Sequence, residues 1–429
     1  MNYPDSVQFL YALGNEVKTA KLGLDRVTAL AAALGSPHRG PRFLHVAGTN
    51  GKGSVCAMLE AGLRAAGHRT GLFTSPHLVE PTERIRVDGV PVTREQFAGA
   101  FDQVHTASEA LLRAGAFDLH PTYFETVTAM ALVLFQELGC GRVVLETGLG
   151  GRLDATNIVT PEAAVITPVD FDHEALLGKS LEAIAGEKAG ILKPGVPAVF
   201  ARQRPEAAAV LEARARALTV PVTRTADWEL ANLALDARGS RFTARWRGYA
   251  LDIACPLAGE HQVENALAAA AALALLGVPA EAIGRGIAGT RWPGRLEHIA
   301  GVPEMVLDGA HNPAGARALA AYIDRFYAGR AVWMIYGAMR DKAIPEVSAI
   351  LFPRARHVLA TAPAQARAAR PETILELADH PDLRAAPDLA AALDIVRREA
   401  APADAVFITG SLFLVAEAET LLGTPARAL

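Results

Sequence analysis

His45 to Ser54 read HVAGTNGKGS, and the residues on either side of this stretch decide the architecture. Arg42–Ala47 is a short apolar run that predicts a strand, and Ser54–Ala66 has the spacing of a helix. Glycines between a strand and a helix let backbone N–H groups close around an anionic phosphate, and the helix N-terminus adds a favourable dipole. Lys52 would pair with terminal phosphates, and Ser54 would approach a bound magnesium ion. The generic nucleotide motif is GxxxxGK followed directly by Ser or Thr. This chain departs from it twice: Val46 stands at the first glycine, and Gly53 separates Lys52 from Ser54. A tight glycine turn under a solvated lysine is the plainer alternative; the strand–loop–helix context favours phosphate.

Outward from the loop, short apolar runs alternate with longer helical patterns, which predicts parallel α/β architecture. Arg142–Glu146 and Ala163–Thr167 read as further buried strands. Glu125–Leu138 reads as a helix with apolar residues at Val127, Met130, Ala131, Leu134 and Phe135. The apolar stretch Ala266–Leu276 is too short to span a membrane and suits a buried helix. The last third repeats the alternation, with strands expected at Met305–Leu307, Ala331–Ile335, His357–Ala360 and Ala405–Ile408. This pattern suits a separate doubly wound domain. The joint falls in TRWPGRLE, Thr290–Glu297, where Pro293 and Gly294 break the preceding helix. The expected division is residues 1–290, a linker at 291–297, and residues 298–429.

At 429 residues, with 51% hydrophobic and 21% charged residues, the chain has the balance of a folded globular protein. Its 42 basic and 46 acidic residues leave a net charge of −4, so no general field for nucleic acid or another polyanion is expected. Three scattered cysteines, Cys56, Cys140 and Cys255, suit a reducing compartment. The opening MNYPDSVQFL lacks the basic and apolar regions of a signal peptide. These features predict a cytoplasmic protein without a membrane partner, most simply a monomer.

GTNGKGS resembles the phosphate loop of the folylpolyglutamate and dihydrofolate synthases, members of the wider Mur ligase group. Further stretches match in family order: TSPHLVEPTERIRVDG (Thr74–Gly89), ETGLGGRLDATN (Glu146–Asn157), DHEALLG (Asp172–Gly178) and EKAGILKPG (Glu187–Gly195). WPGRLE (Trp292–Glu297), LDGAHNP (Leu307–Pro313) and TGSLFLVAE (Thr409–Glu417) complete the set. The resemblance implies a phosphate-loop ATPase domain followed by a smaller Rossmann-like α/β domain. It also implies an ATP-dependent ligase that adds L-glutamate to dihydropteroate or reduced folates through an acyl phosphate. A ligase for a cell-wall nucleotide precursor and a non-catalytic nucleotide-binding regulator are the competing readings. The folate-branch forms GTNGKGS, TSPHL and LGGRLDATN weigh against the first. The full set of phosphate and metal residues weighs against the second.

By the same resemblance, Thr49, Asn50, Gly51, Lys52, Gly53 and Ser54 hold ATP, with Asn265 near the base and Arg295 and Asp308 as further contacts. Ser75, Glu146 and His173 match the ligands of two Mg2+ ions. Lys188 matches a lysine that is carbamylated in many relatives, which turns an ammonium into a carboxylate-bearing metal ligand. Lys52, Lys188 and His173 form the expected catalytic set. Thr122, Tyr123, Phe124 and Glu125, with Leu153, Asp154 and Ala155, match segments lining a pterin site. A flat heterocycle would stack on Phe124 and donate to Asp154; Phe124 as simple core is the alternative. His311 and Ser411 fall in motifs near the glutamate end. Taken singly, Ser75 reads equally as a turn residue, Glu146 as a strand-end ion-pair partner, His173 as a cap partner of Asp172, and Lys188 as a surface lysine.

Overall fold

Strand β1 (Arg42–Ala47) is buried at every position after the first, because neighbours flank it on both edges. The computed structural model describes residues 1–13 and 23–423. Around β1 runs an eight-stranded sheet. Its spatial order is β4 (Val90–Pro91), β3 (Ile85–Val87), β2 (Thr70–Phe73), β5 (Arg142–Glu146), β1, β6 (Ala163–Ile166), β7 (Ala198–Phe200) and β8 (Val222–Arg224). The strands from β2 to β8 in that order pair in parallel, and β3 pairs antiparallel with both β2 and β4. A second set, β9 (Glu229–Asp236), β10 (Gly239–Trp246) and β11 (Tyr249–Cys255), forms a three-stranded sheet. The third sheet runs β12 (Glu297–Ile299), β13 (Glu304–Leu307), β17 (Ala405–Thr409), β14 (Val332–Tyr336), β15 (His357–Ala360) and β16 (Leu383–Ala385). It is parallel apart from β12.

The chain forms two compact units. One comprises Met1–Ala231, Thr243–Ile253 and Glu264–Thr290, and the other Asn232–Phe242, Ala254–Val263 and Arg291–Leu429. Two stretches that precede residue 290 thus belong to the second unit, a division that no single cut along the chain expresses. The sequence reading contains no strand between Glu229 and Cys255. For β9 the reason is visible, since its residues are exposed or half-buried throughout, whereas β10 and β11 do alternate, with Phe242 and Ala244, and Leu251, Ile253 and Cys255, buried. A strand without a buried face shows no period-two apolar signal.

Helix starts differ from the sequence reading for identifiable reasons. The helix after β1 spans Lys52–Ala65, two residues ahead of the expected start, because Gly51 at φ 86° turns the chain directly into it. The helix Tyr123–Glu137 also begins early. Thr122 accepts from the Glu125 N–H, and the Glu125 carboxylate accepts from the Thr122 N–H. This reciprocal cap is legible as T-x-x-E in the sequence. Ala266–Leu276 lies mostly within the helix Glu260–Leu275, where Ala266 through Leu273 are fully buried. No helix among the described residues is long and apolar enough to cross a membrane.

Two apolar clusters brace the first sheet. Phe43, Phe73, Phe97, Phe101 and Phe135 belong to one; Ala47, Ile166, Ile184 and Leu211 belong to the other. The helix carrying Lys52 is braced by Ala280–Ala288. Their approach is so close that a Cβ built on Gly286 would lie 2.6 Å from the Ala61 carbonyl oxygen. Alanine ordinarily improves a helix by about 1 kcal/mol over glycine. Here overpacking against backbone reverses the sign, so Gly286→Ala should lower stability by roughly 1–3 kcal/mol in denaturant titrations. A stabilised variant would contradict this packing.

Candidate active site

The loop after β1 is shaped by what its glycines lack. Gly48 has φ 153°, and a side chain there would collide with the Thr167 hydroxyl. Gly51, left-handed at φ 86°, leaves no room for a Cβ beside the Asn265 amide. An L-residue would meet both backbone strain and a steric block at Gly51. The loop is tied to the segment after β6. The Thr49 N–H donates to the Pro168 carbonyl at 3.0 Å, and the Thr49 hydroxyl donates to the Asp170 carbonyl at 2.9 Å. The Asp170 N–H donates back to the Thr49 hydroxyl at 3.1 Å. Pro168 and Asp170 escaped the sequence reading, since backbone partners about a hundred residues away leave no local signal. Lys52 opens the helix, and its ammonium donates to the Thr49 carbonyl at 3.1 Å. Ser54 is buried in the same turn.

Lys188 reaches this loop from the helix Leu181–Ala189 and donates through Nζ to the Gly48 carbonyl at 2.8 Å. It is only 4% exposed, so it is not the surface lysine that a single sequence allows. Burial first, and then the Lys52 charge, lower the Lys188 ammonium to about 7 against the opposing pull of Asp172 and Asp154. Glu146 ends β5, is buried, and accepts the Ser75 N–H at 3.1 Å. The structure thus brings Ser75 and Glu146 together. His173 has left-handed φ 53°, is exposed, and its backbone N–H donates to the Asp172 carboxylate at 2.9 Å. Among the described residues, no three His, Cys, Asp or Glu side chains cluster as a metal site. A cation here would need hydroxyl, phosphate or water oxygens beside Glu146.

The pterin candidates fall around the turn after β5. Phe124 is buried, lies 5.8 Å from Phe73 between ring centroids, and its ring fills the space beside Gly148. Tyr123 stacks on Tyr11 at 5.8 Å, with the Arg84 guanidinium 5.2 Å from its ring. Thr122 and Glu125 serve the helix cap, and Arg26 donates to Glu125 at 3.1 Å. Asp154 precedes the short 3-10 turn Ala155–Ile158. Its Oδ2 accepts the Leu149 N–H at 2.8 Å, and its Oδ1 accepts the Thr156 N–H at 3.0 Å and hydroxyl at 2.5 Å. Burial pushes its carboxyl up, opposed by these donors. Most of its acceptor capacity is therefore spent on the turn itself. Leu153 and Ala155 flank it on the same turn.

In the second unit, the loops after β13 and β17 meet at the carboxyl ends of paired parallel strands. The Gly410 N–H donates to the Ala310 carbonyl at 3.1 Å. Asp308 is buried and accepts the Leu296 and Ala310 N–H groups, each at 2.9 Å. Burial raises its carboxyl, and Arg295 beside it pulls the other way. Arg295 also donates to the Gly294 carbonyl at 3.0 Å. His311 Nδ1 lies 2.8 Å from the Gly309 carbonyl, and Ser411 caps the helix Leu412–Leu421 by accepting the Phe413 N–H.

The lowered Lys188 ammonium has a thermodynamic consequence. Between about pH 7 and the ordinary lysine value, the unfolded chain binds more protons at this position, so stability rises with pH across that window. Lys188→Met, measured without bicarbonate, should flatten this rise in denaturation midpoints. An unchanged slope would mean that Lys188 does not titrate low.

Residues 46–273 match the Mur ligase middle domain, and residues 294–412 match the Mur ligase glutamate ligase domain. The folylpolyglutamate synthase of Lacticaseibacillus casei is 34% identical, with 99% of each chain covered. A probable bifunctional folylpolyglutamate synthase/dihydropteroate synthase of Haloferax volcanii is 36% identical over 98% of this chain, which spans about half (50%) of that protein's length. A solved structure, Escherichia coli FolC in complex with DHPP and ADP, superposes with TM-score 0.89 at 32% identity, covering 100% of this chain and 99% of that one. With its phosphate loop, both domain matches and end-to-end similarity to such enzymes, this chain belongs to the Mur ligase family, in its folylpolyglutamate and dihydrofolate synthase branch.

Proposed function

We propose that the chain is an ATP-dependent amide ligase that joins L-glutamate to dihydropteroate, to reduced folates, or to both. The observation that carries the reading is the loop His45–Ser54, where glycine-only backbone leads straight into a helix headed by Lys52. Its context adds support: the structure named for DHPP and ADP matches this chain over its whole length. A carboxylate does not condense with an amine unaided, because its oxygen is a poor leaving group. ATP transfers its terminal phosphoryl group to that oxygen, the glutamate amine attacks the carbonyl carbon, and phosphate departs with ADP left behind. Such chemistry needs alignment and charge neutralisation more than an enzyme nucleophile.

Thr49, Asn50, Gly51, Lys52, Gly53 and Ser54, with Asn265, are the proposed nucleotide residues of the first unit. Arg295 and Asp308 are those of the second. Arg295 supplies the cationic fork, and Asp308 holds the loop that carries it. His311 and Ser411 are assigned to glutamate, and the Tyr123–Phe124 and Leu153–Ala155 segments to the pterin. The oxygens of Glu146 and Ser75 suit Mg2+, which takes one or two carboxylates and otherwise phosphate and water. His173 and a carbamylated Lys188 would complete the protein's share for two ions, which would neutralise phosphate charge when bound. The lowered Lys188 supports carbamylation, since the neutral amine is the form that attacks the carbon of CO2, releasing a proton. We place the enzyme in the cytoplasm as a monomer, consistent with three buried free cysteines.

With dihydropteroate, ATP, Mg2+ and L-glutamate, mass analysis should find the glutamyl amide, ADP and phosphate in equal amounts. AMP and pyrophosphate would indicate adenylation and overturn the acyl-phosphate route. Lys52→Ala should cut turnover by roughly a hundredfold or more, the scale of losing one charge-stabilising donor. Its folding stability should stay within about 0.5 kcal/mol.

A further inference from the structure

His45 is the one ionisable residue of the phosphate-loop stretch that the proposed chemistry does not use, and it is fully buried in β1. Its Nε2 lies 2.7 Å from the Thr156 hydroxyl. That hydroxyl has a single proton, and the carboxylate of Asp154 at 2.5 Å can only accept it. The Thr156 oxygen must therefore accept a hydrogen bond from His45, which sets the ring as the Nε2–H tautomer. Nδ1 is then a bare lone pair, and it is buried without a hydrogen-bond partner among the described residues. A buried acceptor left unpaired costs free energy, so whatever the ring contributes here by hydrogen bonding it contributes through Nε2.

We propose that His45 is a positioning residue for pteroate binding: through Thr156 and Asp154 it holds the turn Gly148–Ala155 in register with the strand that feeds the phosphate loop. Donation runs from imidazole to hydroxyl to the Asp154 carboxylate, which also accepts the turn's own Leu149 N–H. The turn carries Leu153 and Ala155, and its Gly148 lies against the Phe124 ring. Burial, with Lys193 nearby, lowers the imidazole to about 3, so the donor pattern holds throughout the neutral range. The inference rests on the assignment of these segments to the pterin.

The test compares His45→Leu and Thr156→Val, which break the chain from either side, with His45→Gln, whose amide places a donor where Nε2 stood. Steady-state kinetics with dihydropteroate, ATP and L-glutamate should show KM for dihydropteroate raised about tenfold in the two breaking variants, the worth of one hydrogen bond to a charged acceptor chain. KM for ATP and glutamate should stay unchanged, and His45→Gln should recover most of the loss. Equal rises in all three KM values, a fall in kcat alone, or no rescue by glutamine would overturn the proposal. Failure of both breaking variants to fold would also overturn it, by assigning the chain to stability. If the wild-type protein itself makes no product from dihydropteroate, the functional reading fails instead, a separate result.

Discussion

Two glycines hold the first unit's chemistry in place. At Gly48 and Gly51 the chain passes so near Thr167 and Asn265 that hydrogen is the only side chain that fits. Because of this close approach, the loop can bond to the Pro168 and Asp170 backbone on one side. On the other it turns without a spacer into the helix that Lys52 begins. Remove the close approach and the loop would need a longer path, moving Lys52 off the helix N-terminus. The favourable dipole and the ammonium then would no longer converge on one place.

The same site concentrates positive charge at a cost. Lys52 and Lys188 both bond to carbonyls of the loop, Thr49 and Gly48 respectively. Burial disfavours the Lys188 ammonium, and the Lys52 charge adds to that penalty. An arrangement that is uncomfortable without an anion is one prepared for an anion, or for conversion of one ammonium into a neutral or anionic group. Glu146, held by the Ser75 N–H, supplies the opposite charge from the end of β5. Adjacent parallel strands β1 and β5 thus deliver the loop and the acid to the same edge of the sheet, as open α/β sheets do generally.

The second unit uses carboxylates and caps differently. Asp308 satisfies two backbone N–H groups and so fixes the loops bearing Arg295 and His311. Ser411 and Asn312 cap the helices that follow β17 and β13. Residues that a motif marks as functional are therefore, in their visible contacts, builders of loop shape. Asp154 in the first unit is the same kind of residue.

The sequence by itself determined the strand–loop–helix at His45–Ser54, the alternating α/β pattern of both ends of the chain, and the family. Those signals are local: glycine spacing, apolar runs and short motifs in fixed order. It also held the T-x-x-E cap at Thr122, although the helix start there is easily read too late. Only the tertiary structure decided that Lys188 is buried against Gly48, that His45 speaks to Asp154 through Thr156, and that Asn232–Phe242 joins the second unit. Each of these joins residues far apart in the chain. Burial of a lysine or an imidazole depends on what the rest of the chain packs around it, and no local pattern encodes that. Strand β9 was illegible for the opposite reason: with no buried face, it carries no period for a sequence to show.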